Sequence, residues 1–386
     1  MRAAAETGDY VTASKALESS EKNYGSRSRL LFLLEKACLL HLEQKYRESA
    51  AVFEQARAEY EKLYTKSVSG FVSSFIFTDY SQNYRGEDFE RVLINVFQAL
   101  NYVMMGQNDE ALVEARDADS KLAVINSRYK EGQKNVYRED AFCRMLMGLL
   151  YDASPRPQDV SDSCLWFKQA LDSYQEGYRA NYGTEPPSFL KEKTSSCPPA
   201  PQARRGCEVY VIQYKGFAPV KEEASLPVPL PGGYITQIAF PKYRRRPGLA
   251  VVSQATARDS AGRIFFSPTE CAEDIGAIAE KNLNDRGARA VAVAVAKAGA
   301  KYAIEKNQGD VIRKRYGANT EALYTVLASL YNIATNRADL RSWQTLPDKI
   351  MIARLVLPPG DYVIEFNAKD GAGRTFQSLA LGNAFL

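Results

Sequence analysis

Residues 43–56 read EQKYRESAAVFEQA, and their spacing decides how the first half of the chain is understood. Tyr46, Ser49, Phe53 and Ala56 recur at intervals of three and four, which places them on one face of a helix. Small and aromatic residues alternate on that face, as two closely approaching helices require. The same frame occurs earlier, in GDYVTASKALESS, with Gly8, Tyr10, Ala13, Leu17 and Ser20. Tyr10 and Tyr46 are 36 residues apart, the length of one helical hairpin. A third copy, GQNDEALVEARDA, supplies Gly106, Ala111, Ala115 and Ala118, and the helix before it carries Ala99 and Tyr102.

A looser fourth unit pairs AFCRMLMGLLYD with SDSCLWFKQALDSY. Gly148 and Tyr151 take the first-helix positions, Phe167 and Ala170 the second, and Pro155 and Pro157 lie in the loop between. The period and the pattern predict tetratricopeptide-type helical repeats over residues 1–183. Between the second and third units sits an insertion, roughly residues 69–92. Its aromatic residues, Phe71, Phe75 and Phe77, either contact a partner or plug the repeat groove. Glu87 or Asp88 then opens a helix.

Residues 184–206, TEPPSFLKEKTSSCPPAPQARRG, are rich in Pro, Ser and charge and predict a linker. Beyond it the residues change character. CEVYVIQY (207–214), YITQIAF (234–240), GLAVVSQATA (248–257) and RIFF (263–266) read as strands. Residues 267–287 turn helical, with Thr269 as cap, Glu270, Glu273 and Asp274 in the first turn, and Ile275, Ile278, Ala279 and Leu283 on one face. Residues 288–307 alternate Val and Ala; their length and Ala content favour a buried helix over a strand. Residues 320–337 read as another helix. KIMIARLVL, DYVIEFNA and RTFQSLAL close the chain as a three-strand meander. The fold class expected is therefore α+β in two domains: a helical repeat domain at 1–183 and, from 207–386, antiparallel sheet or sandwich plus helices.

Net charge is +4 with 25% charged residues, too even for a nucleic-acid binder. No apolar run reaches the ~18 residues of a membrane helix. The one histidine, His41, has no histidine partner, so metal and triad chemistry lack their usual means and His41 reads as a packed helix residue. No phosphate-cradling glycine loop is present, carboxylates are many but none are singled out as a hydrolytic pair, and no cofactor or enzymatic role is expected. The six cysteines form no CxxC; Cys197 with Cys207, or Cys143 with Cys164, are the possible bridges, and buried free thiols are the alternative. Two basic clusters, Arg244, Arg245 and Arg246, and Arg313, Lys314 and Arg315, lie beside Tyr243 and Tyr316. They read either as solvated loops or, if they meet, as an anion site for a glycan polymer.

Three stretches carry a resemblance: residues 84–116 (YRGEDFERVLINVFQALNYVMMGQNDEALVEAR), CEVYVIQYKGFAPVKEE followed by ITQIAFPKY, and residues 338–366 (ADLRSWQTLPDKIMIARLVLPPGDYVIEF). In this order they resemble a family of bacterial envelope proteins, usually lipoproteins of unassigned activity, that join tetratricopeptide hairpins to a C-terminal β domain. The resemblance implies export, a lipid anchor at the outer membrane and partners among envelope lipoproteins linked to peptidoglycan synthesis. It brings no catalytic residue. No export signal or lipobox stands at Met1, so a cytoplasmic location is the alternative. The function expected is a non-catalytic scaffold whose repeat groove takes a partner through Asn101, Asn108, Arg116, Lys121, Phe71, Phe75 and Tyr84.

Overall fold

The structure, a computed structural model, describes residues 1–65, 82–127, 137–197, 207–229, 235–246, 252–285 and 338–385. The fold is α+β. Short helices α1 (Arg2–Glu6), α2 (Tyr10–Ser19) and α3 (Glu21–Tyr24) precede three antiparallel hairpins. These pair α4 (Arg29–Leu42) with α5 (Tyr46–Thr65), α6 (Asp88–Met104) with α7 (Asn108–Ser127), and α8 (Ala141–Asp152) with α9 (Asp159–Ser173). Successive hairpins touch through α5 with α6 and α7 with α8.

Local chemistry sets the helix ends. Asp9 caps α2 by accepting from the Thr12 amide, and Asp140 caps α8 by accepting from that of Cys143. Glu87 and Glu90 form a capping box at the start of α6. Two hairpin turns are built alike. The Lys45 amide returns to the Leu40 carbonyl and the Gln107 amide to that of Tyr102, each with a left-handed residue just before. Gly106 fills that position in one turn at φ 73°, and Gln44 fills it in the other at φ 62°.

Of the residues read at repeat spacing, Gly8 and Gly106 are exposed, Tyr10, Ser20, Tyr46 and Tyr102 are partly buried, and the other small and aliphatic positions are enclosed. Ala13, Ser49, Phe53, Ala56, Ala111, Ala115, Ala118 and Ala170 are fully enclosed. Gly148 must be small, because a Cβ there would lie 2.5 Å from the Phe167 ring. Among its described residues, 184–197, the stretch read as a linker includes a helix. A π-turn (Tyr174–Tyr178) and α10 (Arg179–Tyr182) lead to α11 (Ser188–Ser195), whose Phe189 and Leu190 are buried.

The β region contains β1 (Cys207–Lys215), β2 (Phe217–Pro229), β3 (Ile235–Arg246), β4 (Val252–Asp259), β5 (Ile264–Pro268), β6 (Glu270–Asp274), β7 (Lys349–Leu357), β8 (Asp361–Lys369) and β9 (Thr375–Phe385). All pairings are antiparallel: β1–β7–β6, the hairpin β2–β3, and β5–β4–β8–β9. Three sequence expectations are corrected. The final three strands are no meander: β7 inserts between β1 and β6, while β8 pairs with β4 and β9. Glu270, Glu273 and Asp274 form β6, and the helix starts only at Ile275, with Asp274 rather than Thr269 accepting from the Ala277 amide. Arg244–Arg246 continue β3 and are not in a loop. The helices expected at 288–307 and 320–337 lie outside the described residues.

The sheet β1–β7–β6 is the middle of three layers. Its Ile350 and Ile352 join one hydrophobic cluster with Leu34, Phe53 and Phe97 of the helices. On its opposite side, Val211, Ala353, Leu355 and Leu357 pack on Ala255, Ala257, Ile364 and Phe366 of the outer sheet. The core is thus continuous across the boundary expected near 184–206.

Candidate functional site: a helical groove filled by the chain itself

Between 285 and β7 the chain returns as an irregular strap, residues 338–348, with a turn at Gln344 and Thr345, lying against α4 and α6. Its backbone is held group by group. The Glu35 carboxylate accepts from the Gln344 amide at 2.8 Å and the Thr345 amide at 3.0 Å. Glu90 accepts from the Trp343 amide at 2.9 Å. On the acceptor side, Arg246 donates to the Gln344 carbonyl, the Cys38 thiol to that of Thr345, and the Ala218 amide to that of Leu346. Three successive amides and three successive carbonyls of the strap are therefore satisfied by groups distant in sequence, as a buried irregular segment requires.

Side chains fix the register. Trp343, 1% exposed, has its ring 5.9 Å from that of Phe53 and 6.0 Å from that of Phe97, and its Nε1 donates to the Thr345 hydroxyl. Arg341 pairs with Asp339 and donates to the Gln82 and Arg27 carbonyls and the Ser28 hydroxyl. Below them, Asn101 Oδ1 is an acceptor, so His41 Nδ1 carries the proton and His41 Nε2 accepts from Tyr214. Asn101 completes the set by donating to the Ser49 hydroxyl.

Burial governs the titration of this groove. It pushes Glu35 up to about 7, against the opposing bonds from Thr345 and the two amides. Burial also raises Glu90, with Glu87 adding to it and Lys221 and Tyr84 opposing. Burial lowers His41 to about 4, so the imidazole is neutral. The Cys38 thiol is pushed far above its usual range by burial and is no nucleophile.

Two further contacts bind the helices to the central sheet. In the π-turn, Tyr174 donates to the Ala272 carbonyl at 2.7 Å and Tyr178 to Glu273 at 3.1 Å. Lys193 of α11 and Arg354 of β7 both reach Glu208, at 2.7 Å. Burial pulls the Glu208 carboxyl upward, but the bonds from Lys193, Tyr210 and Arg354 outweigh it and hold it down at about 2.

The residues expected to bind partners divide into three groups. Asn101 and Tyr84 are buried, and their polar atoms serve the groove internally, so neither is presented to a partner. Asn108 and Arg116 are exposed on α7, Arg116 lying 5.3 Å over the Tyr151 ring, and Lys121 is half-buried in bonds to Asn95 and Asp117. Phe71 and Phe75 lie outside the described residues. The arginines of β3 are held by internal partners: Arg244 by Glu222, Arg245 by Asp274, Asp348 and Glu280, and Arg246 by Glu6 and two carbonyls. Five carboxylates and two backbone carbonyls therefore pair with the cluster that the sequence read either as a solvated loop or as part of an anion site. Arg313, Lys314 and Arg315 lie outside the described residues.

The disulfide pairing also differs from both expected bridges. Cys164 joins Cys197, tying α9 to the end of α11, while Cys38 and Cys143 are buried thiols and Cys207 and Cys271 are partly buried. The helical pairing buries the Cys143 thiol against the Ala115 carbonyl. Among the described residues, no cluster of three metal-ligating side chains occurs and no helix is long and apolar enough to cross a membrane.

Sequence reasoning passed over Glu35, Glu90, Arg341 and Trp343. The signals were there: a lone acid inside the apolar run LLFLLEKACLL, and one of only two tryptophans in a short polar stretch before β7. Comparison of the chain with protein-family models, with curated proteins and with solved structures finds no match.

Proposed function

We propose that this protein is a non-catalytic interaction scaffold of the bacterial cell envelope, built on a tetratricopeptide-like solenoid. One observation carries the reading: paired helices grip an irregular peptide segment by its backbone and by one aromatic anchor, as helical-repeat proteins hold partner peptides. Here the peptide is the chain's own strap, residues 338–346, so the groove expected to receive a partner is occupied. The occupied groove makes the β layers a rigid extension of the solenoid and moves partner binding to its outer helices.

The outer side of α7 is the surface we assign to the partner. Val113 is 61% exposed and Val124 46%, and Arg116 and Asn108 stand on the same helix. An envelope lipoprotein is the partner that the family resemblance favours. The Cys164–Cys197 disulfide supports an oxidising compartment, where such bonds persist. The test is in-cell crosslinking of the natively expressed protein, followed by mass spectrometry. Recovery of outer-membrane lipoproteins or cell-wall synthases, lost in Val113→Asp with Arg116→Glu, is the expected result. Recovery of cytosolic proteins alone refutes the envelope reading.

A further inference from the structure

Every free sheet edge but one is guarded among the described residues. Strand β1 carries Glu208 and Lys215; β6 carries Glu270, Glu273 and Asp274; and β5 is five residues long and ends in Pro268. The β2–β3 hairpin is loaded with Pro219, Pro227, Lys221, Glu222, Pro241 and Arg244. Charge, proline and brevity are the usual protections against edge-to-edge pairing. Strand β9 has none of them. Its eleven residues, TFQSLALGNAF, include no charged side chain and no proline, and β9 ends the order β5–β4–β8–β9.

The exposure of β9 is two-sided. Gln377, Ser378, Leu379, Ala380 and Leu381 are all exposed, Leu379 at 46% and Leu381 at 48%, although successive side chains point to opposite faces. The strand therefore overhangs the middle layer. Register shifts against β8 fall between Ile364 and Glu365 and between Ala368 and Lys369. They leave Gln377–Ala380 as the regular run between two irregularities, which confines any added ladder to that stretch.

We propose that the β9 edge is a homotypic interface, on which β9 of a second copy pairs antiparallel about a two-fold axis near Ser378 and Leu379. An uncharged edge gives a charged incoming strand no counter-charge and would desolvate its ions. The strand that fits is neutral, and β9 is itself a strand without charge. Antiparallel pairing about a two-fold makes identical edges complementary and joins two four-stranded sheets into one of eight. The contact is small, so the dimer depends on concentration. This inference stands apart from the scaffold reading.

Sedimentation equilibrium of the full chain across a concentration series tests it. Wild type is expected to dimerise, and Leu379→Lys to weaken the dimer at least about tenfold by setting like charges across the axis. Circular dichroism must show an unchanged fold, as expected at exposed positions. Independently, Ser378→Cys under mild oxidation is expected to give a covalent dimer that Thr375→Cys does not. A monomeric wild type, a dimer indifferent to Leu379→Lys, or no crosslink at position 378 overturns the proposal.

Discussion

The two faces of the central sheet are held by different physics. Toward the outer sheet, Ala353, Leu355 and Leu357 meet Ala255, Ala257, Ile364 and Phe366, a contact of apolar side chains that carry no hydrogen-bonding group. Toward the helices, the chain buries Glu35, Glu90, His41, Asn101 and Trp343, each with named partners. The first kind of interface tolerates any apolar set of similar volume. The second specifies a single docking, because removing one partner leaves another buried and unsatisfied.

The largest expected effects fall on the aromatic anchor. Trp343→Ala and Phe53→Ala should each cost about 3–5 kcal/mol in denaturant melts, with the double variant costing less than the sum because the rings share one contact. A loss below about 1 kcal/mol for Phe53→Ala means that the repeat frame is misread. On the other face, Leu355→Ile should cost less than about 1.5 kcal/mol.

Titration sharpens the contrast next. The folded Glu35 carboxyl is raised, so the folded state holds a proton that the unfolded state releases. Stability from this group is present below the ordinary glutamate range and is lost as pH rises to about 7. His41 is lowered to about 4, so its contribution is present above the ordinary histidine range and is lost as pH falls. The two slopes oppose each other. Glu35→Gln should be less stable than wild type near pH 4.5, since one amide loses its acceptor. The gap should close by up to about 3 kcal/mol as pH rises through the window, as measured by urea melts across pH. A gap independent of pH contradicts the buried state of Glu35.

The smallest effect lies in a turn. Gln44 holds the left-handed conformation that Gly106 holds in the equivalent turn. Gln44→Gly should stabilise by about 0.5–1 kcal/mol in thermal melts, by removing the Cβ strain.

The helical hairpins were legible because they are local. Tyr46, Ser49, Phe53 and Ala56 announce one helix face within eleven residues, and all but Tyr46 are fully buried. Strand existence was also legible at β1, β4 and β8. Strand pairing was not: β7 joins β1, whose residue Val211 faces Ala353, and nothing near either strand announces the other. The stretch 217–229 was passed over as a strand because its prolines and charges mask the alternation, although a two-stranded hairpin tolerates them. The groove was hidden for the same reason as β7. A glutamate in an apolar helix reads as a misfit until the amides it accepts from, more than 300 residues away, are known.

The helices enclose residues 338–346 as a bound peptide. Hydrogen exchange of the full chain at neutral pH tests it most directly. The account predicts that the amides of Trp343, Gln344 and Thr345 are protected as strongly as those of α4 and α6, although they belong to no helix or strand. Exchange of those three amides at the rate of an exposed loop, with α4 and α6 still protected, would contradict it.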